Sequence, residues 1–376
     1  MKRCTARETT LLALGLGIVL VSFAQLHLGF QTPPFPPSTL LHSTSQSYKA
    51  SYSRAETTPT NLSAHGGGFV HVGKTGGSTL SLLLRNGCHS FMRHPCYNIS
   101  NESPASRLIE KYYHVPDFGL LRQSHHDFYV ITARDPLDRA VSAFVYDHIR
   151  NRDARNETMD PMQRERYEAA YVCFPTLEVF AAYLKGNSSD FHYPYHRKEI
   201  HPESCRDLAR AAFHGRVRIY SHLYFSLEKI RSFIPGIENR VVFLIRQERL
   251  WDDWIQTNRI LEDTYGLSSQ DSSYDVPVEA REDRRNSTTL EINNRLPVGK
   301  TLSSLATQSL CRALETEYTV FFWFLLTAKN IDNEEFKFSL SKAKESCGRY
   351  LNMDEMIRKE SLSGGEVVEH GVRVKK

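Results

Sequence analysis

Four times between Phe69 and Leu261 the chain places a short run of β-branched and aromatic residues ahead of a longer run with helical spacing. The pairs are "FVHV" with "GSTLSLLLRNG", "DFYVITA" with "PLDRAVSAFVYDHIRNR", "RVRIYSH" with "SLEKIRSFI", and "RVVFLI" with "ERLWDDWIQTNRIL". Repeated strand-helix order predicts parallel strands covered by helices, an α/β fold. A further apolar pattern, "LSSLATQSLCRALETEYTVFFWFLLTAKN", predicts one closing helix near the C-terminus. With 376 residues, 40% of them apolar, the chain has material for a substantial core. The 47 basic and 43 acidic residues leave a net charge of only +4, so bulk charge gives no reason to expect a nucleic-acid partner.

The first of these strand-helix joints is "GFVHVGKTGGSTL", residues 68 to 80. Gly68 to Thr75 fits the nucleotide-binding pattern G-x-x-x-x-G-K-[ST] by letter. In that pattern, however, the first Gly follows a strand and the four variable residues wrap the phosphates. Here "SAHGG" precedes Gly68 and the four middle residues are themselves the strand, so the turn is expected to start at Gly73. The turn "GKTGGS" then leads into a helix, and it suits an anion. Gly73, Gly76 and Gly77 let backbone N–H groups approach closely, the helix start adds the positive end of its dipole, Lys74 adds charge, and Thr75, Ser78 and Thr79 add hydroxyls.

A second constellation is "ITARDPLDRAVSAF". Arg134 ends a predicted strand, and Ser142 follows eight residues later in the next helix, so both can face one phosphate at the C-terminal edge of the sheet. By itself, Arg-Asp-Pro also fits an ordinary helix start capped by Asp135.

The flanks differ in character. Residues 1–10 are short and basic, and 11–30 form an apolar run that fits a signal-anchor helix of about the length a bilayer requires. Ser22-Phe23-Ala24 leaves a cleavable signal peptide as the other reading. Residues 31–67, rich in Pro, Ser and Thr, are expected to be a flexible stem, 68–350 the main domain and 351–376 a charged tail. Six Asn-x-Ser/Thr sequons, at Asn61, Asn98, Asn101, Asn156, Asn187 and Asn286, argue for exposure to the secretory lumen. Beyond the apolar run lie six cysteines, and pairing by neighbours would join Cys88 with Cys96, Cys173 with Cys205 and Cys311 with Cys347. No C-x-x-C spacing suggests zinc, and a site from His192, His196 and His201 is suggested by composition only.

"KTGGST" and "RDPLDRAVS" resemble the 5'-phosphosulfate loop and the 3'-phosphate motif of the Golgi membrane-bound sulfotransferases that use 3'-phosphoadenylyl sulfate (PAPS). "YYHVPDFG" is similar to the histidine-bearing segment of the uronyl and heparan sulfate 2-O-sulfotransferase group, with Tyr112 standing where that group tends to carry a second His. The likeness spans roughly residues 69 to 330 and is specific in the two cofactor motifs. It implies a P-loop-like parallel sheet flanked by helices, in a single lumenal domain behind an N-terminal anchor of a type II Golgi membrane protein. It implies sulfuryl transfer from PAPS to a carbohydrate hydroxyl, with no metal ion.

On that resemblance His114 is the candidate base and Lys74 the group that meets the leaving phosphate. Thr75, Gly76, Gly77, Ser78 and Thr79 would hold the 5'-phosphate, and Arg134 with Ser142 the 3'-phosphate. His125 and His126 are competing bases, and "FHYPYHRKEIH" (191 to 201) has aromatic and cationic groups suited to an acidic sugar. Residues 263 to 300, rich in Ser, Asp, Asn and Arg, are expected from their composition to form a long mobile loop. Two other readings stay open, a P-loop kinase or NTPase, which would need a Mg2+ carboxylate, and a non-catalytic lumenal binding protein.

Overall fold

Phe69, Val130, Phe243 and Ile245 fall on one face of a sheet, and their neighbours Val70, Ile131 and Leu244 on the other; all are buried. Such two-sided burial is what a parallel sheet between helical layers requires. The computed structural model describes residues 66–84, 103–114, 118–185, 205–214, 219–267, 298–363, 367–369 and 372–374. All of them belong to one unit, Asn61–Lys376. The four strands of its main sheet are β1 (Gly67–His71), β2 (Ile109–His114), β3 (Phe128–Ala133) and β4 (Val241–Arg246), in the order β2-β1-β3-β4 and parallel throughout. The chain steps from β1 to one side, then crosses back to the other, so the order reverses about β1. Ligands of open α/β sheets sit at the carboxyl ends of the strands at such a point.

Three helices position the site: α1 (Gly77–Leu84), α2 (Pro136–Asp147) and α3 (Leu250–Tyr265). Trp254 and Leu261 of α3 pack on the Phe69 face. Ala140 and Phe144 of α2, with Tyr318, Phe321 and Phe322 of the helix Glu315–Thr327, belong to the core on the opposite face. Each such buried side chain contributes roughly 1.5–3 kcal/mol through removal of apolar surface from water.

Several sequence expectations need correction. β1 begins at Gly67, inside the presumed stem. A Cβ at Gly67 would lie 2.2 Å from the Phe128 ring and one at Gly68 2.6 Å from His126, so glycines here are strand residues under an aromatic roof. β2 was not among the predicted strands. "RVRIYSH" is not a strand where it is described, since Tyr220 precedes the short helix Ser221–Tyr224. The single closing helix is two, Ser304–Ala313 and Glu315–Thr327, broken at Leu314. Residues 263 to 265 of the expected loop belong to α3, which runs to Tyr265 and ends on Gly266 at φ +63°; residues 268–297 lie outside the described residues. The expected tail contains the helix Met353–Ser363, whose Met353 and Met356 are buried in the core, and an antiparallel ribbon of Val367–Glu369 with Val372–Val374.

Disulfides join Cys173 to Cys205 and Cys311 to Cys347, as the neighbour pairing expects; Cys88 and Cys96 lie outside the described residues. Asn156 is exposed at φ +54°, while the other five sequons lie outside the described residues. No described helix is long and apolar enough to cross a membrane, and residues 11–30 lie outside the description.

Candidate active site

The turn after β1 runs from Gly73 to Gly76 and α1 starts at Gly77, the register expected from the apolar run before it. Two histidine rings explain two of its glycines. A Cβ on Gly73 would lie 2.5 Å from Cδ2 of His222, and one on Gly77 2.1 Å from Cδ2 of His71. Gly76 adopts φ +79°, which glycine takes without strain. Lys74 adopts φ +68°, a conformation costing a non-glycine residue about 1 kcal/mol or more.

That turn sends the Lys74 ammonium inward, where Nζ lies 3.6 Å above the centroid of the Tyr146 ring. Burial lowers its pKa to about 8; Asp147 opposes the shift, whereas Arg155, Lys300 and Arg134 add to it. Four cations thus share one neighbourhood with three carboxylates: Glu157 on Arg155, Asp138 on Arg134, and Asp147, which is bonded to His222 through both oxygens at 2.8 Å. Arg155 is tied by Nη2 to the Tyr146 carbonyl at 2.5 Å and by Nε to Glu157 at 2.6 Å. Its guanidinium lies 4.1 Å from the Tyr146 ring centroid, and Nη1 is buried with no hydrogen-bond partner among the described residues. A cation cluster under-neutralised in this way favours an anion.

Arg134 follows β3 directly and is partly exposed, with one ion pair at 3.5 Å to Asp138. Ser142 is buried within α2, two turns further along. Asp135 caps α2, accepting from the Asp138 N–H at 3.1 Å and from the Tyr318 hydroxyl at 3.0 Å; burial raises its pKa to about 7. The cap and the cationic flank therefore coexist in one motif. Arg139, also from this motif, is buried and donates to the His222 carbonyl at 2.9 Å while pairing with Glu317 at 3.3 Å.

Not every expected ligand group is placed to act as one. Thr75 is fully buried and its hydroxyl lies 2.5 Å from the Val72 carbonyl and 2.6 Å from Thr132 Oγ1, so its proton is used inside the fold. Thr79 is half-buried and bonds Gly76 O through its N–H at 2.9 Å. Ser78 sits in the first turn of α1. His114 closes β2, its backbone in register with His71 at the same sheet edge as the turn. His125 and His126 precede β3, at the opposite edge, about 20 Å away by the rise of a six-residue strand. His126 bridges the Tyr113 hydroxyl at 2.8 Å and the Gly66 carbonyl at 3.0 Å, a structural task. Residues 191–201 lie outside the described residues. Among the described residues, no group of three or more His, Cys, Asp or Glu is arranged to hold a metal ion.

Tyr146, Asp147, Arg155, His222 and Lys300 were not among the expected site residues. Lys300 lies two residues after Val298, which Asn151 clamps through two bonds of 3.0 Å. A closer reading of "VSAFVYDHIRNRDAR" would have found an aromatic, a carboxylate and an arginine downstream of Ser142; nothing in the sequence announces Lys300 or His222. Comparison of the chain with family models, with curated proteins and with solved structures finds no match.

Proposed function

We propose that this chain is a PAPS-dependent sulfotransferase acting on a carbohydrate hydroxyl in the secretory lumen. The observation carrying the reading is Lys74, held at positive φ at the edge of a parallel sheet with Arg134, Arg155 and Lys300 near its buried ammonium. PAPS brings a 5'-phosphosulfate and a 3'-phosphate, and the two expected motifs supply Lys74 and Arg134 just beyond the carboxyl ends of the neighbouring strands β1 and β3. In this reading the domain is P-loop-like and stands behind a membrane anchor in the Golgi. The two disulfides suit an oxidising lumen.

The chain's own groups divide the work. The turn and the start of α1 receive the 5'-phosphate, and Arg134 with Ser142 receives the 3'-phosphate. Lys74 meets the oxygen that becomes anionic as the sulfur–oxygen bond breaks, in a site shielded from water where that contact is strong. Thr75 serves by setting the turn, not by touching the ligand. A histidine takes the hydroxyl proton, and both His114 and His222 stand at this edge of the sheet.

Calorimetric titration with 3'-phosphoadenosine 5'-phosphate, and with ATP plus Mg2+ for comparison, tests the reading. The bisphosphate is expected to bind more tightly, and Arg134→Ala to weaken it about 10- to 100-fold, the value of one or two charge-assisted hydrogen bonds. Preference for Mg-ATP would instead support a nucleotidase or kinase.

A further inference from the structure

We propose that His222, oriented by Asp147, is the proton acceptor of the reaction; this assignment rests on the sulfotransferase reading. Asp147 is the last residue of α2 and is almost wholly buried, yet both its oxygens are turned on one residue. Oδ2 accepts the His222 backbone N–H at 2.8 Å, and Oδ1 lies 2.8 Å from Nδ1 of the ring. A carboxylate only accepts, so Nδ1 carries the proton and a neutral ring keeps its lone pair on Nε2. Burial alone would push the Asp147 pKa up, but its contact with His222, whose backbone N–H and Nδ1 both meet the carboxylate, outweighs it and holds it below the ordinary value.

The ring is fixed from several sides. Its centroid lies 4.9 Å from that of Tyr146 in an edge-to-face contact, and the His222 carbonyl is held by Arg139. Cδ2, the carbon bonded to Nε2, is the atom that leaves no space for a side chain on Gly73. The Cδ2–Nε2 edge therefore lies against the turn that presents Lys74, while the side chain keeps 19% exposure. Nε2 has no hydrogen bond to any described residue. The charged and titratable groups around the ring are Asp147 and Tyr146 from α2, Arg139 at its carbonyl, and Lys74 across the Tyr146 face. A histidine placed by a buried carboxylate beside a cation is the arrangement that accepts a proton while charge develops next to it.

The step balances. As the hydroxyl oxygen bonds to sulfur, its proton passes to Nε2, and the bond from sulfur to the 5'-phosphate breaks with its electron pair left on the phosphate oxygen beside Lys74. The imidazolium, stabilised by Asp147, then returns the proton to water.

The test uses the full chain with labelled PAPS, reading all label lost from PAPS with water, N-acetylheparosan or chondroitin as acceptor. His222→Ala is expected to lower consumption about 100-fold or more while bisphosphate affinity stays within ~3-fold, and added imidazole to restore part of the rate. Asp147→Asn, which keeps the shape but leaves the wrong tautomer, is expected to lower the rate by a larger factor than it changes bisphosphate affinity. His222→Gln serves as the second variant if the alanine form does not fold. Consumption unchanged in His222→Ala, or imidazole rescue seen only in His114→Ala, would overturn the assignment and leave the sulfotransferase reading standing. A wild-type protein that binds the bisphosphate but consumes no PAPS would overturn the assignment in favour of a binding role. Failure of the wild type to bind the bisphosphate would overturn both.

Discussion

Two buried cations stand at the same edge of one sheet and are treated oppositely. At the end of β4, Arg246 is fully enclosed, and every N–H of its guanidinium has an acceptor. Asp253 takes two bonds at 2.9 and 2.6 Å, Glu335 takes one at 2.5 Å through its carboxylate and one at 2.9 Å through its carbonyl, and Ser339 takes one at 2.9 Å. Burial works against the charge, yet Asp253 and Glu335 outweigh it and keep the pKa above the usual arginine value. Two strands away, Lys74 has an aromatic face beneath it and three further cations around it. The first cluster is complete without a ligand. The second carries surplus positive charge, and the difference separates a structural cation from one that serves a substrate.

The comparison breaks most visibly through stability. Arg246→Met strands the buried Asp253 without its cation, while Glu335 keeps Arg249, and is expected to lose about 3–5 kcal/mol, read from urea unfolding. Lys74→Met removes a cation that burial has already made unfavourable. At pH 7 it should leave the empty protein as stable as before or stabilise it by roughly 1–3 kcal/mol, while weakening the bisphosphate about 10- to 100-fold. Loss of stability in the Lys74 variant comparable to that in the Arg246 variant would remove the distinction.

A pH titration sharpens the same contrast. With its folded pKa near 8 against an ordinary 10.5, Lys74 binds fewer protons in the folded than in the unfolded state between those values. Its contribution therefore makes the empty protein gain stability as pH rises from about 8 to 10.5, the reverse of a lysine that has found a partner. A bound dianion favours the ammonium form, so binding takes up a proton and affinity falls as pH passes 8, by up to about tenfold per unit. Calorimetry in buffers of different ionisation enthalpy would detect that proton, and its disappearance in Lys74→Met would assign it.

How much of this could be read from the amino acids follows from the range of each interaction. The strand, turn and helix around Gly73 are set by neighbours in sequence: an apolar alternation, a glycine cluster and a helix-forming run. So is the cap at Asp135. The contacts that complete the site are distant in sequence. Asp147 meets His222 across 75 residues and Asn151 meets Val298 across 147, and no local periodicity encodes either. The strand character of Gly67 and Gly68 was hidden for a related reason, because Phe128 and Tyr129 of β3 and His126 just before it decide that no side chain fits there. Tyr146 and Asp147 read locally as the end of an amphipathic helix, and only the arriving turn gives them a chemical setting.

Thr75 offers the smallest test and separates shaping the turn from binding the ligand. The sulfotransferase resemblance makes it a phosphate ligand, but its hydroxyl lies between the Val72 carbonyl and Thr132 Oγ1, which itself accepts the Val72 N–H at 3.0 Å. Three groups thus close a buried chain of bonds that ties the end of β1 to β3 beneath the turn. Thr75→Val keeps the shape and deletes the hydroxyl, leaving the Val72 carbonyl without that donor, so a loss of about 1 kcal/mol of stability is expected. Thr75→Ser should restore most of it. If the hydroxyl only braces the turn, bisphosphate affinity in the valine variant stays within ~3-fold of wild type, less than one charge-assisted hydrogen bond is worth. A tenfold or larger loss with little change in stability would mean that the hydroxyl turns outward when the anion arrives and that the turn rearranges on binding.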